Sequence, residues 1–434
     1  MIVTSHARPG PAICPSQPSA GPISLAARPA AAYAGPSFTL PSPIMSLASR
    51  RHDIDALRFL VFSLLIVYHT ALVYMDGWNF HMHSSYATDA LNMPLVFLNR
   101  WRMEIVFLVS GVSCAMMTQH TRGAFLWRRL KRLLLPLLFG MAVIIPIQPY
   151  CEGVSKGLVE PGYGQFLLHY FGGYAWPAGA FDGWQYGFTW NHLWYLVYLL
   201  LYTIVLVAVQ PLLGALRPLF LRLRGWRLLV LPALPALAAM VFLKLRYPET
   251  HAVVRDWYAH AMYFTMFVYG WWLGNDKGLW AELARLRWHA LWLGLAAFAV
   301  YMVFDQIYSE NLLTWASAGS WPMRNLYMWL AICAILGWAH TLLNQPFTWL
   351  PWARQAVFPW YILHQSAIIV LAYWLVPLRL GPVIEPLLIL TGTVAICWLG
   401  TSLVISKVHW LRPCFGLPAQ PRKVLAGGTA LPAN

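Results

Sequence analysis

Residues 58–69 read Arg-Phe-Leu-Val-Phe-Ser-Leu-Leu-Ile-Val-Tyr-His, and they lie within an apolar run over residues 57–75. A run of this length can cross a bilayer as one helix. Arg58 and His69 are eleven residues apart, so a helix places them on one face, within about 20° and about 16 Å apart. Ionisable residues inside a span are costly and usually functional. A structural role is equally open here, in which Arg58 snorkels and His69 bonds a neighbouring helix.

The composition of the whole chain is that of a membrane protein. Of its 434 residues, 59% are hydrophobic and 10% are charged, whereas soluble domains have about 25% charged residues. Apolar runs of about 20 residues recur along the chain. We therefore predict an all-α, polytopic membrane protein with ten transmembrane helices. The predicted spans are 57–75, 94–116, 133–150, 192–212, 228–244, 258–274, 289–305, 325–343, 357–377 and 384–405.

The positive charge of the chain is explained by its distribution. A net charge of +15 would suit a nucleic-acid-binding protein. With the amino terminus inside, however, the predicted inner segments hold 17 Lys and Arg and the outer segments hold 6. The positive-inside rule then places both termini in the cytoplasm. We predict that the chain has the lipid bilayer as its surroundings and no nucleic acid as a partner.

The amino-terminal segment differs from the rest of the chain. Residues 1–45 are rich in Pro, Ala and Gly and have no continuous apolar core, so we predict a disordered leader rather than a cleaved signal peptide. Met45 directly precedes the first basic cluster, and our hypothesis is that translation begins there. We predict a membrane domain over residues 46–410 and a cytoplasmic tail over residues 411–434.

Three further patterns carry little functional information. The six cysteines are scattered without a disulfide or metal-binding spacing, and we interpret them as packing residues. His81 and His83 are too few to indicate a metal site, and we predict none. The outer segment 151–190 is rich in aromatic residues and Gly. Such a stretch suits sugar stacking, but an interfacial aromatic belt has the same composition, and we favour the belt.

Other polar residues also fall within predicted spans. Arg102 and Glu104 enter the second span together, and an ion pair is the simplest structural explanation. His192 and Trp194 open the fourth span, and His364 lies in the ninth. With His69, this gives three intramembrane or interfacial histidines on different helices. Such a set suits a proton relay or a catalytic base.

These motifs resemble those of the acyltransferase-3 family of membrane proteins, which move acyl groups onto extracytoplasmic carbohydrate. The resemblance covers about residues 53 to 366, and the motifs occur in family order. They are Arg58 to His69 (Arg, ten residues, His), Phe107–Gly111 (Phe-x-x-Ser-Gly), Arg129–Arg132 (Arg-x-x-Arg), His192–Leu196 and Tyr361–His364. Each motif is weak alone, and five in order are specific.

Within this family the chain is similar to the subgroup that succinylates osmoregulated periplasmic glucans. The similarity rests on Trp78–His81, Phe97–Gly111 and His192–Trp194. The chain departs from that pattern at Gln365 and Ser366, where a second His and a Pro are expected. We also expect no additional extracytoplasmic domain after the tenth span, unlike some relatives. The membrane domain is therefore expected to bind the final acceptor itself or to work with a periplasmic partner protein.

The resemblance implies a multi-pass O-acyltransferase of the bacterial inner membrane. The donor would be a cytoplasmic acyl-CoA, either succinyl-CoA or acetyl-CoA, and the acceptor a hydroxyl of a periplasmic or surface glycan. A donor with a second carboxylate needs a cation beside its acyl chain, which Arg102 or Arg324 could supply. The sequence leaves open the acyl group, the glycan and the oligomeric state.

The positions of the residues suit this chemistry. A sugar hydroxyl needs a base during attack on a thioester, and His is the usual base. We predict that His69 is this base or a transient acyl acceptor, with His364 as a second relay or a substrate-orienting group. Cations at the inner end of the first helix and at the start of the third suit the donor phosphates. We count Arg58 with His69 and His364 as catalytic, since it could hold the donor at the inner end of the helix that carries His69. The predicted donor-binding residues are Asp55, Arg128, Arg129 and Arg132, and those for the acceptor and outer mouth are Arg102, Glu104, His192 and Trp194.

A transporter or flippase of a glycan or a lipid-linked sugar is the alternative. Such a protein also has about ten spans and buried charges. Inverted-repeat transporters, however, carry paired halves with matching interrupted helices, and the sequence shows no such pairing. We therefore favour the acyltransferase.

Overall fold

The computed structural model describes residues 51–117, 122–311 and 314–418. The predicted leader, Met45 and the end of the predicted tail lie outside these residues. Within them the chain is helical, with one isolated β-bridge between Met75 and Thr88 and no strand. The prediction of an all-α fold is confirmed.

Fifteen α-helices form the described part of the chain. They are α1 His52–Leu72, α2 Asn92–Asn99, α3 Arg102–Met117, α4 Arg122–Phe139, α5 Ile147–Ser155, α6 Tyr163–Gly172, α7 Trp194–Leu221, α8 Trp226–Val230, α9 Leu234–Leu243, α10 Trp257–Leu273, α11 Lys277–Asn311, α12 Thr314–Leu342, α13 Leu350–Leu375, α14 Ile384–Leu399 and α15 Leu411–Cys414.

Eight helical segments of the described chain are long and apolar enough to cross a membrane. They confirm a polytopic membrane protein. The other two predicted spans correspond to α3, with 16 residues, and α10, with 17 residues, which are slightly shorter. The eight are His52–Leu72, Gly123–Ser155, Asn191–Leu221, Trp226–Leu243, Lys277–Ile307, Gly319–Leu342, Leu350–Leu378 and Ile384–Ile405.

The helices α3 and α10 cross at two glycines. A Cβ atom on Gly111 would lie 1.9 Å from the carbonyl oxygen of Phe267, and one on Gly270 would lie 1.8 Å from that of Leu108. Such distances require direct backbone contact, which small residues allow in membrane helices. The Gly of the Phe-x-x-Ser-Gly segment is therefore a packing requirement.

The third predicted span starts earlier in the structure than the hydropathy pattern indicated. The helix α4 begins at Arg122, and a π-helical turn at Gly140–Ile144 leads into α5, which ends at Ser155. The basic residues 128–132 thus lie on a helix and not in a loop. Hydropathy marks only the apolar part of a helix that continues beyond the bilayer core.

The amino-terminal end of α1 is fixed by a buried carboxylate. Asp53 accepts two hydrogen bonds from Arg51, at 2.9 and 2.7 Å, and lies 2.9 Å from Nδ1 of His340 on α12. The Arg51 guanidinium stacks 3.8 Å above the ring of Trp280 on α11. Charge-assisted, bidentate bonds of this kind fix orientation, so α1 is held against two other helices.

Three connecting segments lie around one end of the helix bundle, namely residues 73–91, 156–193 and 244–256. In the second of them, Phe166, Tyr170, Trp176 and Phe181 pack into a small aromatic core of their own. At the carboxyl end, the ring of Phe415 lies 5.4 Å from that of Phe139. The start of the predicted tail therefore packs against α4.

Candidate functional site

A large cavity opens among these three segments. Its volume is about 1230 Å³, and His69 lines it together with residues from each segment and from α3, α12 and α13. Arg102 and Glu104, His192 and Trp194 also line it. The structure thus brings all four predicted acceptor-side residues to one cavity.

His69 and His364 form a direct pair across α1 and α13. Nδ1 of His69 lies 2.9 Å from Nε2 of His364, and the two rings are nearly parallel. On its other side, Nδ1 of His364 lies 2.8 Å from the carbonyl oxygen of Tyr361. A carbonyl oxygen only accepts, so His364 Nδ1 must carry the proton.

The hydrogen-bond pattern then fixes the tautomer of both rings. A neutral His364 that is protonated on Nδ1 accepts at Nε2, and His69 must donate from Nδ1. Neutral His69 therefore has its lone pair on Nε2, which no described residue engages. His69 lines the cavity, whereas His364 is 1% exposed. His69 can therefore contact a substrate in the cavity. The buried His364 fixes the orientation of the His69 ring.

His192 packs behind this pair. Its ring centroid lies 5.1 Å from that of His364, edge to face. Nε2 of His192 donates to the carbonyl oxygen of Ile362 at 3.2 Å, and Nδ1 accepts from Gln148 at 3.2 Å. Both nitrogens are engaged, so the geometry assigns His192 a supporting place beside His364.

A second polar chain in the cavity wall escaped the sequence analysis. Nδ1 of His81 lies 2.5 Å from Oε2 of Glu152, and Nε2 of His81 lies 3.0 Å from the amide nitrogen of Gln365. Glu152 also accepts from Lys156 at 2.6 Å and from the backbone N–H of Asp182 at 3.3 Å. It joins α5 to two of the connecting segments. Its only sequence signal was a lone carboxylate at the end of an apolar run.

The surroundings of His81 bear on metal binding. Both of its nitrogens are used by protein groups. Among the residues that the structure describes, no group of three or more His, Cys, Asp or Glu side chains could hold a metal ion.

The expected ion pair of Arg102 with Glu104 is wrong. The Arg102 guanidinium instead lies 3.4 Å above the ring of Tyr68, and its Nη2 donates to Asn99 at 3.3 Å. Within the described chain, Nε and Nη1 of Arg102 and Oε2 of Glu104 have no hydrogen-bond partner. Both residues lie on α3 but two positions apart, so their side chains point in different directions.

The residues predicted to bind the donor lie at the other end of α1. Arg58 donates from Nη2 to the hydroxyl of Ser113 on α3. Asp55 pairs with Arg354 at 3.7 Å. Of the basic residues on α4, Arg129 is buried, whereas Arg128 and Arg132 are exposed. The predicted cluster thus has one member that faces the protein interior.

A layer of aromatic rings lies between Arg58 and the cavity. The ring of Phe62, one turn after Arg58, is 5.2 Å from that of Tyr361 and 6.1 Å from that of Tyr195. All three side chains are buried. Along α1 the cavity extends to Leu65, and of these three rings Tyr361 lines it. We call Phe62, Tyr195 and Tyr361 the aromatic layer.

The fold and the site define a multi-pass membrane protein with a histidine pair at the wall of a large cavity. Residues 51–402 match the model of the acyltransferase-3 family, described as an acyltransferase domain. The chain belongs to this family and is a membrane acyltransferase. No curated protein and no solved structure matched the chain.

Proposed function

We propose that this protein is an O-acyltransferase of the bacterial inner membrane. It moves an acyl group from a cytoplasmic acyl-CoA to hydroxyl groups of a periplasmic or surface glycan. The observation that carries the proposal is the unengaged Nε2 of His69, which the hydrogen bond to His364 leaves as an acceptor in the cavity wall. The family match supports acyl transfer.

The direct route uses His69 as a general base. Nε2 takes the proton of the acceptor hydroxyl while the hydroxyl oxygen attacks the thioester carbonyl carbon. The carbon–sulfur bond then breaks, and the thiolate takes the proton from Nε2. Throughout, Nδ1–H of His69 remains bonded to His364, which keeps the ring in place.

A covalent route uses the same nitrogen as a nucleophile. Nε2 of His69 attacks the thioester carbon and the thiolate leaves. The acceptor oxygen later displaces the imidazole from the acyl group, and the proton of the acceptor hydroxyl passes to the thiolate. Both routes require an unprotonated Nε2, so the pairing with His364 serves either one.

The proposed donor site consists of positively charged residues. Arg129 is 7% exposed and lies on α4, and a guanidinium suits the phosphates of acyl-CoA. Arg58 would hold the chain of the donor nearer the membrane centre, with Arg128 and Arg132 at the entrance. The acyl group would then pass the aromatic layer to reach His69.

The similarity to glucan succinyltransferases favours succinyl over acetyl. A succinyl group brings a carboxylate into the site, and it needs a cation there. Arg102 lines the cavity, and its Nε and Nη1 have no hydrogen-bond partner among the described residues; Arg324 lines the cavity as well. We propose Arg102 as the group that faces the acyl carboxylate.

The test is replacement of His69 in cells. We expect His69→Ala to abolish ester formation on periplasmic and surface glycans, as measured by mass spectrometry, with protein abundance and membrane insertion unchanged. Replacement of His169, a half-buried histidine in α6 outside the cavity lining, by Ala is the matched control. Unchanged acylation in the His69 variant would refute the mechanism. Loss of glycan export with intact ester groups would instead indicate a transporter.

A further inference from the structure

The segment that follows α9 contains an unusual backbone. His251, Val253 and Arg255 have φ angles of 55°, 65° and 64°. Residues other than glycine rarely adopt this left-handed region, and a β-branched residue such as Val253 does so least readily. Conformations of this kind persist only where the surroundings enforce them. We call Glu249–Asp256 the strained loop.

The strained loop is held by a buried carboxylate. Asp256 is completely buried and accepts the backbone N–H of His251 at 2.9 Å and that of Thr250 at 3.2 Å. The hydroxyl of Tyr198 also donates to Asp256. His260 donates from Nε2 to the carbonyl oxygen of Val253 at 2.7 Å. The loop is therefore ordered before any ligand arrives.

The ordered loop places the imidazole of His251 at the wall of the cavity. The imidazole of His251 stacks on the indole of Trp194 with centroids 4.0 Å apart. Nε2 of His251 bonds Oε1 of Glu249 at 2.8 Å, and the hydroxyl of Tyr263 donates to the same oxygen. Trp194, His251 and Glu249 all line the cavity. A flat ring pair thus lies beside a hydrogen-bond acceptor.

The charge of Glu249 is secured by its neighbours. Burial raises the pKa of Glu249, but the hydrogen bond and charge of His251, the Tyr263 hydroxyl and the charge of Arg324 outweigh burial and lower that pKa to about 2. Glu249 is therefore a carboxylate at neutral pH and can accept hydrogen bonds from hydroxyl groups.

A second aromatic group lies in the segment Asp182–Trp190. Tyr186 is 72% exposed and Phe188 is 53% exposed, yet both line the same cavity as His251. Nε1 of Trp190 donates to the carbonyl oxygen of His251 at 3.1 Å, which ties this segment to the strained loop. Phe171 and Tyr174, elsewhere in the aromatic stretch, are also exposed but do not line the cavity, so Tyr186 and Phe188 are the exposed rings of this stretch that face it.

The stacked ring pair, the Glu249 carboxylate and the exposed rings of Asp182–Trp190 together indicate the class of ligand. Exposed aromatic rings next to carboxylates and amides suit sugars. The rings stack on the apolar face of the sugar, because aromatic side chains offer rigid amphipathic contact, and the carboxylates and amides bind its hydroxyl groups. The cavity, at about 1230 Å³, exceeds the roughly 300–1,000 Å³ of ordinary small-molecule sites. Resting on the proposed function, we propose that the strained loop and Asp182–Trp190 form the binding site of an oligosaccharide acceptor, with the Trp194–His251 stack as its sugar platform.

The test separates acceptor binding from acyl transfer. The probe is the glycan pool extracted from a strain that lacks the protein, separated by size and titrated against the purified full chain in nanodiscs. We expect Trp194→Ala and Tyr186→Ala each to raise the KM for glycan by about tenfold or more, which corresponds to about 1.4 kcal/mol of lost contact. The KM for acyl-CoA should stay unchanged. Trp194→Phe keeps a ring and should retain most binding.

Phe171→Ala is the matched control, because Phe171 is 61% exposed in the same connecting segment and its ring contacts Tyr170. An equal loss in this control, or an unchanged KM in both Trp194→Ala and Tyr186→Ala, would overturn the inference. His69→Ala should bind glycan without transferring acyl groups. If the wild-type protein binds glycan at these residues but transfers no acyl group, the proposed function is wrong and the inferred glycan-binding site remains supported.

Discussion

Nε2 of His364 accepts the Nδ1 proton of His69 at 2.9 Å, across 295 residues of sequence. This bond does more than hold two rings together. Because His364 donates to the Tyr361 carbonyl on its other side, it presents an acceptor to His69 and leaves Nε2 of His69 as the unprotonated nitrogen. An interaction of this type, in which one side chain orients a catalytic group, is usual around functional histidines.

Removal of the orienting histidine should slow the reaction without preventing binding. We expect His364→Ala to lower kcat for acyl transfer by about 10–100-fold, by analogy with the loss seen when the hydrogen-bond partner of a metal-bound histidine is removed, with the KM for glycan changed little. His364→Gln should recover part of the rate, because an amide can accept from Nδ1 of His69. A wild-type kcat in His364→Ala would contradict the assigned tautomer.

Arg102 should determine which acyl group is used. We expect Arg102→Gln to reduce transfer from succinyl-CoA by about tenfold more than transfer from acetyl-CoA, because only succinyl places a carboxylate beside the guanidinium. Competition between the two donors, read by mass spectrometry of the product, measures this ratio. Arg246→Gln is the control, since Arg246 is exposed and lies outside the cavity lining. An unchanged ratio of succinyl to acetyl transfer in Arg102→Gln would show that Arg102 does not bind the acyl carboxylate.

The two crossing glycines should be essential for folding. Gly111→Ala and Gly270→Ala place a Cβ within 2 Å of a backbone oxygen, and overpacking of this kind typically costs about 1–3 kcal/mol. We expect a large loss of folded protein, measured by abundance and thermal unfolding in detergent. Gly214 lies in α7, and a Cβ there would meet none of the described atoms within 4 Å. Gly214→Ala should therefore fold normally, and equal abundance of all three variants would refute the close crossing.

Glu152 should stabilise the wall of the cavity. Glu152→Gln removes the charge that His81 and Lys156 share, and an imperfectly satisfied buried group costs about 1–3 kcal/mol. We expect a lower thermal unfolding temperature than in Glu160→Gln, where the replaced carboxylate is exposed. Equal unfolding temperatures would show that the chain of hydrogen bonds from His81 to Gln365 contributes little.

Labelling can establish the orientation of the cavity. The positive-inside rule predicts that residues 73–91 face the periplasm and residues 343–349 the cytoplasm. In a background with Cys14 and Cys414 replaced by Ser, Ser85→Cys should react with an impermeant thiol reagent in intact spheroplasts, and Gln345→Cys only after permeabilisation. Both positions are exposed. The reverse pattern would place the cavity on the cytoplasmic side.

The sequence by itself determined the class of fold and the alignment of Arg58 and His69 along one helix. A span of apolar residues is a local property, because a membrane helix satisfies its own backbone hydrogen bonds. The placement of Arg58 and His69 on one face likewise follows from helical periodicity alone. The order of the five motifs was enough to indicate the family that the chain matches over residues 51–402.

Only the tertiary structure decided which side chains meet. The pairing of His69 with His364, the packing of Arg102 on Tyr68 instead of Glu104, and the link from Glu152 to His81 join residues on different elements. The strained loop had no sequence signal, because its backbone is imposed by Asp256 and Tyr198 and not by glycine. Periodicity fixes the face of a helix, but the partner of that face depends on how the helices pack.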